Sequence, residues 1–424
     1  MALEENMKTV QLEDFCRILG FDQKVYFHLE PHWQLLLERQ SEQPEYLTAA
    51  FFERYYPYCN GPDIDLVRPQ LEQVLHKCGK LPELTLLLHI LQRGMYELNP
   101  ALNFNFLPDT IEPLGELSGI LFLLAVLSGI TYIEQSYNEA GVPLSYAYEA
   151  LKWIGGNMQV YSIAIKGRFG MKANGWMRHL VDKKLFRIGR LEYLLHPSPA
   201  WLSAIYRRQD GKIAVLCQDG WRFDKQGKRL ADDEKADFVS RLQEDSLSIS
   251  GTPVSPDGLP DFNRKVTLQR QLWSPLLSPW DLCPSIHIPG GEKMPFDEVK
   301  RSMLEAREFF SKYFQRHVPL FCCCSWILNP AWEHYLPNSN MARFRRECYA
   351  IPAVSWGDKA GMFFLFGRSD VSPLELEASN SAQKAMQEAY KNKELASGAV
   401  FVPSQDIEKL ENEYYRREYA APVK

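Results

Sequence analysis

The sequence lacks most of the features that announce a function. No C-x-x-C pair occurs among its nine cysteines, so a zinc site of the usual spacing is not expected, and no metal ligands are assigned. There is no excess of positive charge: 48 Lys and Arg stand against 53 Asp and Glu, a net charge of -5, which gives nucleic acid or an anionic membrane no general attraction. There is no repeat at a fixed period. The opening "MALEENMKTVQLEDF" is polar and acidic, unlike a secretion signal, so free thiols in a reducing cytoplasm are the expectation. The apolar run "LSGILFLLAVLSGITYI" has 17 residues without a charge, short of the roughly 20 that a membrane span needs. It also carries two Ser-Gly pairs and no basic flank. It reads as a buried core helix whose glycines let a neighbour approach closely.

What is present is an ordinary globular composition, 46% hydrophobic and 24% charged over 424 residues, enough for two or three domains. Residues 1–160 read as helices with short connections. "PDIDLVRPQLEQVLHKCG" has proline near its start and glycine just past its end, and "LPELTLLLHILQRGMYEL" has apolar residues at helical spacing. The pattern then changes. "LFRIGRLEYLL" predicts a strand pair bent at Gly189. Asp-Gly pairs at 210 and 219 predict a hairpin, extended to a three-strand meander, within a hairpin-rich portion at about 185–270. "SISGTPVSPDGLPDF" reads as a turn-rich loop inside one domain. In the last third apolar strands alternate with helices: "SIHI", the helix from 297, "VPLFCCCSWIL", "GMFFLFG" as a strand, "SAQKAMQEAYKN" as a helix and "GAVFVP" as a strand. The tail "SQDIEKLENEYYRREYA" reads as a surface helix. The fold class is α/β (α+β), with residues 1–160 helical and 161–424 a mixed-sheet domain.

Chemistry concentrates at "CPSIHIPGG", where a strand breaks into a glycine turn before a long helix. Gly290 and Gly291 leave backbone amides unobstructed, as an anion nest requires, and a helix end stands behind them. Glu292, Asp297 and Glu298 crowd that end and Lys293 offsets only part of their charge, so a structural turn is the competing reading. The turn matches neither G-x-x-x-x-G-K-[ST] nor G-x-G-x-x-G. His287 shares a strand face with Ser285 at the strand end, where an imidazole suits proton transfer; a histidine bonded to a backbone carbonyl is the alternative. Cys322, Cys323 and Cys324 lie in an apolar strand and read as small core residues rather than nucleophiles. Ser325 and Trp326 end that strand without a G-x-S-x-G elbow. In "LPNSNMARF", Ser339 or Asn340 stands where a helix starts.

Taken in order, "LFRIGRLEY", "HIPGG", "SMLEAREFFSKYF...FCCCSWIL", "LPNSNMARF" and the terminal "ASGAVFVP" resemble bacterial acyltransferases with a helical N-terminal domain and a GNAT-like C-terminal domain. That resemblance implies acetyl- or acyl-coenzyme A as co-substrate, with no tightly bound cofactor. It implies a turn at Pro289, Gly290, Gly291 and Lys293 holding the pyrophosphate, and a splayed strand ending at Trp326 beside the pantetheine arm. The implied partner is a small molecule, with no nucleic acid and no membrane span. The implied reaction is direct attack by an amine, with His287 as base and Ser325 or Asn340 assisting at the reacting centre. The family's usual glutamine/arginine-x-x-glycine-x-glycine/alanine signature is absent. Two other readings stand beside this one: a non-catalytic binding or regulatory module on the same fold, and cysteine-dependent acyl transfer through residues 322–324.

Overall fold

The computed structural model describes residues 10–38, 44–165, 167–196, 199–278, 281–290, 292–355 and 361–419. The chain divides into two compact units, Met1–Arg187 with Pro289–Gly291, and Ile188–Ile288 with Glu292–Lys424.

The first unit is helical, as its periodicity predicts. It contains α1 (Leu12–Leu19), α2 (Gln23–Leu29), α3 (Ala49–Tyr55), α4 (Ile64–Lys80), α5 (Pro82–Gln92), α6 (Ser118–Leu127), α7 (Ile130–Glu139), α8 (Leu144–Ala150) and α9 (Lys152–Ala164). Every residue of α6 is buried. Among the described residues, Gly115–Glu139 is the one segment long and apolar enough to cross a membrane, and 78% of its most apolar window is buried inside the protein. The charge-free run is therefore a core helix that breaks at Ser128 and Gly129 and resumes as α7.

Its glycines do what the sequence predicts. A Cβ on Gly119 would stand 2.7 Å from the Tyr161 ring, and one on Gly129 would stand 2.3 Å from the Tyr96 ring. Tyr96 is buried and donates to the Val126 carbonyl at 2.9 Å, so it has little room to retreat. Gly129→Ala is therefore expected to destabilise the protein by about 1–3 kcal/mol through overpacking, although alanine is the better helix former. Gly79, in α4, has no atom within 4 Å of an added Cβ. Gly79→Ala is expected to stabilise by about 0.5–1 kcal/mol, and chemical denaturation of the two variants reads the opposite signs.

The second unit is built on a six-stranded sheet of order β1-β2-β11-β12-β14-β13. Its strands are β1 (Leu185–Ile188), β2 (Leu191–His196), β11 (Cys283–His287), β12 (Leu320–Ser325), β13 (Tyr349–Ile351) and β14 (Gly398–Pro403). Between β2 and β11 lies the hairpin-rich portion: β3 (Ala204–Arg208), β4 (Ile213–Leu216), β5 (Arg222–Phe223), β6 (Phe238–Val239), β7 (Leu242–Glu244), β8 (Ser248–Gly251), β9 (Val266–Gln269) and β10 (Trp273–Pro275). The long helix α10 (Phe296–Phe314) connects β11 to β12. Its apolar stripe, Val299, Met303, Ala306, Phe310 and Phe314 by helical spacing, is buried at all but Phe314. Later helices are α11 (Asn340–Glu347), α12 (Met362–Phe366) and α13 (Ser381–Lys391).

Four local expectations are corrected. "GMFFLFG" is the helix α12, not a strand: Gly361 and Gly367 flank it at φ 89° and 74°, and Met362 and Phe366 bury one face. The meander does not form in chain order, because β3 pairs β4 and β10 while β5 pairs β6. "SISG" is the strand β8, and the turn-rich loop begins only after it. The tail is not one surface helix. It is a 3-10 turn, Ser404–Lys409, and a four-residue helix, Tyr414–Arg417, with Asp406 and Tyr415 buried.

Candidate functional site

The central sheet is fully registered at its flanks and registered at one position in its middle. β11 runs antiparallel to β2 through five register pairs, ending at His287 opposite Glu192. β12 runs antiparallel to β14 through six, ending at Ser325 opposite Gly398. Between them β11 and β12 are parallel and share one register pair, Ser285 with Cys322. Each strand therefore continues toward its C-terminal end held from the outside while the ladder between the two is confined to a single position. In open sheets the crevice beyond the carboxyl ends of parallel strands is where ligands bind.

Two faces can be told apart. Tyr193 meets α10, its hydroxyl 2.8 Å from Ser302 Oγ and its ring 6.3 Å from that of Phe310. Its ring lies 5.3 Å from Phe321. Phe321, Cys323 and Ser325 thus take the α10 side of β12 by strand alternation, and Cys322 and Cys324 take the other. Cys283 Sγ lies 3.4 Å from Cys322 Sγ, which puts Cys283, Ser285 and His287 on the side of Cys322 and Cys324. Glu192, directly opposite His287 on β2, shares this face and is 2% exposed. His287 is half-buried.

The structure brings His287 and Cys324 to one face of the opening and puts Ser325 on the other. Ser325 accepts from the Ile327 amide at 3.4 Å and so caps the 3-10 turn Trp326–Leu328. Trp326 lies against Gly361, where an added Cβ would stand 2.5 Å from the indole, and stacks on Phe364 at 6.1 Å. Phe364 is 58% exposed, which leaves an aromatic surface just beyond β12. Asn340 opens α11 as an exposed residue, and the cap is Ser339, which accepts from the Ala342 amide at 3.1 Å.

Pro289 is buried and Gly290 exposed; Gly291 lies outside the described residues. A Cβ on Gly156 of α9 would stand 3.2 Å from the Gly290 carbonyl oxygen, while a Cβ on Gly290 itself would meet nothing within 4 Å. Lys293 is exposed. Its carbonyl and that of Glu292 accept from one guanidinium: Arg190 Nε donates to Lys293 O at 2.6 Å and Nη2 to Glu292 O at 2.9 Å. This clamp fixes the segment entering α10. Sequence reasoning missed it, and the only signal is that Arg190 follows the hairpin glycine, Gly189.

The cysteine run has the core character its composition suggests. Burial pushes the Cys322 and Cys323 thiols far up, and the Cys324 thiol up to about 11, away from the thiolate that a nucleophile needs. All nine cysteines are free. Among the described residues no group of three or more His, Cys, Asp or Glu is placed to hold a metal ion. The helical unit has a separate cleft of about 740 Å³, lined by Gln70, Glu116, Leu117, Ile165 and Arg168 among others, which contains none of the sequence-predicted site residues.

Comparison with known proteins agrees with this architecture. The chain has the fold of an acyltransferase solved in complex with decanoyl-CoA and teicoplanin, at a TM-score of 0.61 and 16% identity over 93% of this chain and 99% of that one. A complex with CoA and 10C-teicoplanin gives the same values. A complex with decanoyl-CoA alone gives a TM-score of 0.56 at 16% identity, over 93% and 100% of the two chains. At that identity the likeness establishes the fold. No curated protein matches the chain in sequence. The model of the GNAT-like C-terminal domain matches residues 185–399, the stretch that runs from β1 into β14 and includes both strands of the opening. A match over half of the sequence, ordered as the strands are ordered, makes this chain a member of the family with a GNAT-like C-terminal domain.

Proposed function

We propose that this protein transfers an acyl group from acyl-coenzyme A to an amine on a small-molecule acceptor. The observation that carries the reading is the opening between β11 and β12, two parallel strands registered only at Ser285 and Cys322. It is the place where the ladder between the two strands stops, which suits the amide-rich pantetheine arm of coenzyme A. Proteins of the same fold bind coenzyme A thioesters. The turn at Pro289 and Gly290, with Lys293 and the start of α10 after it, suits the coenzyme's phosphates. Trp326 is proposed to border the acyl end.

The chemistry is direct attack. The amine lone pair adds to the thioester carbonyl carbon, a C–N bond forms, and the C–S bond breaks as the coenzyme's sulfur leaves. His287 takes the proton that the nitrogen loses, directly or through water, and the departing sulfur is protonated to the thiol. A strand-edge amide at the opening stabilises the oxyanion. Ser325 is left with its capping role, and Asn340 with a surface position at the rim of α11.

Calorimetric titration of the whole protein with coenzyme A tests the reading. Binding is expected at micromolar concentration. Gly290→Ala is expected to fold normally, because its Cβ meets no protein atom within 4 Å, and to weaken the coenzyme about tenfold, the equivalent of about 1.4 kcal/mol. Absence of heat at millimolar coenzyme A would end the acyltransferase reading for this donor and leave a binding module on the same fold.

A further inference from the structure

Glu192 carries a carboxylate where an ordinary strand would carry an apolar side chain. It lies in β2, between β1 and β11, and is buried. Withdrawing a carboxylate from water that far is costly unless something of opposite charge offsets it. The register of the sheet shows what stands beside it. β2 and β11 are antiparallel from Cys283 to His287, and the last pair of that ladder is His287 with Glu192. Residues directly opposite in an antiparallel ladder share a face, with Cβ atoms about 4.5–5.5 Å apart. The two side chains are therefore neighbours across one ladder position. Oε1 of Glu192 and Nε2 of His287 are both shielded from solvent, so charge on either is felt by the other through a low effective dielectric.

The neighbouring positions on that face are neutral. The preceding pair is Leu194 with Ser285, both buried. On β12, Cys322 and Cys324 share the face, and burial pushes both thiols up and keeps them protonated. Beyond β2, the outermost strand β1 carries Arg187, also buried, one strand further from β11 than Glu192 is. The strands flanking His287 thus set one carboxylate directly opposite the imidazole, at the end of β11 where its ladder with β12 has already stopped at Ser285. A histidine that takes a proton during amine attack becomes an imidazolium. A fixed carboxylate beside it favours that charged form and limits the ring's orientation.

We propose that Glu192 is the positioning residue of His287: its carboxylate, held across the β2–β11 ladder, orients the imidazole and stabilises the imidazolium that forms when His287 takes the proton from the acceptor nitrogen. Glu192 touches neither the acceptor nor the coenzyme and acts through the imidazole. The catalytic part of this proposal rests on the acyltransferase reading; the influence of the carboxylate on the imidazole does not.

Glu192→Gln keeps the shape and removes the charge. It is expected to lower kcat at least about tenfold and to leave coenzyme A affinity, read by calorimetry, within about twofold. In a His287→Ala background the same replacement is expected to change kcat by less than about twofold, because the residue it acts through is gone. An equal loss in both backgrounds would assign Glu192 to the packing of the sheet and overturn the proposal. Nuclear magnetic resonance of the intact, histidine-labelled protein gives a readout free of turnover, with the His287 signal assigned by its loss in His287→Ala. In Glu192→Gln the imidazole's proton affinity is expected to fall about tenfold, moving its titration to lower pH. An unchanged titration overturns the proposal. Should the glutamine variant not fold, Glu192→Asp, which withdraws the charge by one methylene, is expected to shift the titration in the same direction by a smaller amount and to lower kcat with coenzyme A affinity kept; equal values to the wild type would again overturn it. Failure of coenzyme A to bind the wild type, with the His287 titration still shifted by Glu192→Gln, would overturn the acyltransferase reading and leave the carboxylate–imidazole pair standing.

Discussion

His287→Ala is expected to lower turnover by about 10²–10⁴-fold, the range for loss of a general base, while changing coenzyme A affinity by no more than about twofold. The separation follows from where the imidazole sits. His287 is the last residue of β11, half-buried, with its backbone registered opposite Glu192 on the outer strand. Removing its side chain leaves the outer ladder intact, and that ladder holds β11 beside the place proposed for the pantetheine arm. The side chain lies on the face opposite α10, the face shared with Cys324, so an acceptor approaching there meets the imidazole without displacing α10. Steady-state kinetics on the wild type and His287→Ala, paired with calorimetry for the donor, reads the two effects independently. If donor affinity collapses and turnover at saturation is preserved, His287 is a binding residue. His287→Gln adds a control for shape: a polar side chain of similar reach without the titrating nitrogen is expected to be as inactive as alanine. Activity close to the wild type in the glutamine variant would transfer the proton to another group.

The parts of this site that the sequence made legible are those set by local pattern. A charge-free run such as "VPLFCCCSWIL" has one environment that suits it, a strand buried on both faces, and β12 is that strand. "SIHI" before Pro-Gly ends a strand by backbone chemistry alone, and α10 follows from its stripe. The single register pair between β11 and β12 has no local signature, because strand pairing depends on which residues the rest of the sheet holds apart. "GMFFLFG" was ambiguous for a different reason. Five apolar residues between glycines fit a short strand or a single buried helical turn, and the choice was made by the left-handed conformation of Gly361 and Gly367. Arg190 carries no local signal in the sequence, because its role depends on carbonyls more than 100 residues away at Glu292 and Lys293.

Asp406→Ala is expected to destabilise the second unit by about 3–5 kcal/mol, the range for breaking a buried ion pair from one side. Asp406 is 1% exposed and pairs with Arg207 of β3, whose side chain is 15% exposed. It also forms an ion pair with Lys409 Nζ at 2.9 Å and accepts from the Tyr415 hydroxyl at 3.4 Å. Alanine leaves the largely buried Arg207 charge without its carboxylate, which costs more than the pair itself contributes. The carboxylate stands in the turn directly after β14, the outer partner of β12, while Arg207 belongs to β3, so the pair ties the hairpin-rich portion to the strand that flanks the opening. Two readouts separate these consequences. Urea denaturation gives the stability loss, and the double replacement Arg207→Met with Asp406→Leu is expected to recover most of it by filling the site with apolar volume. An equal loss in the single and double variants would trace the effect to packing of the tail and not to the stranded charge.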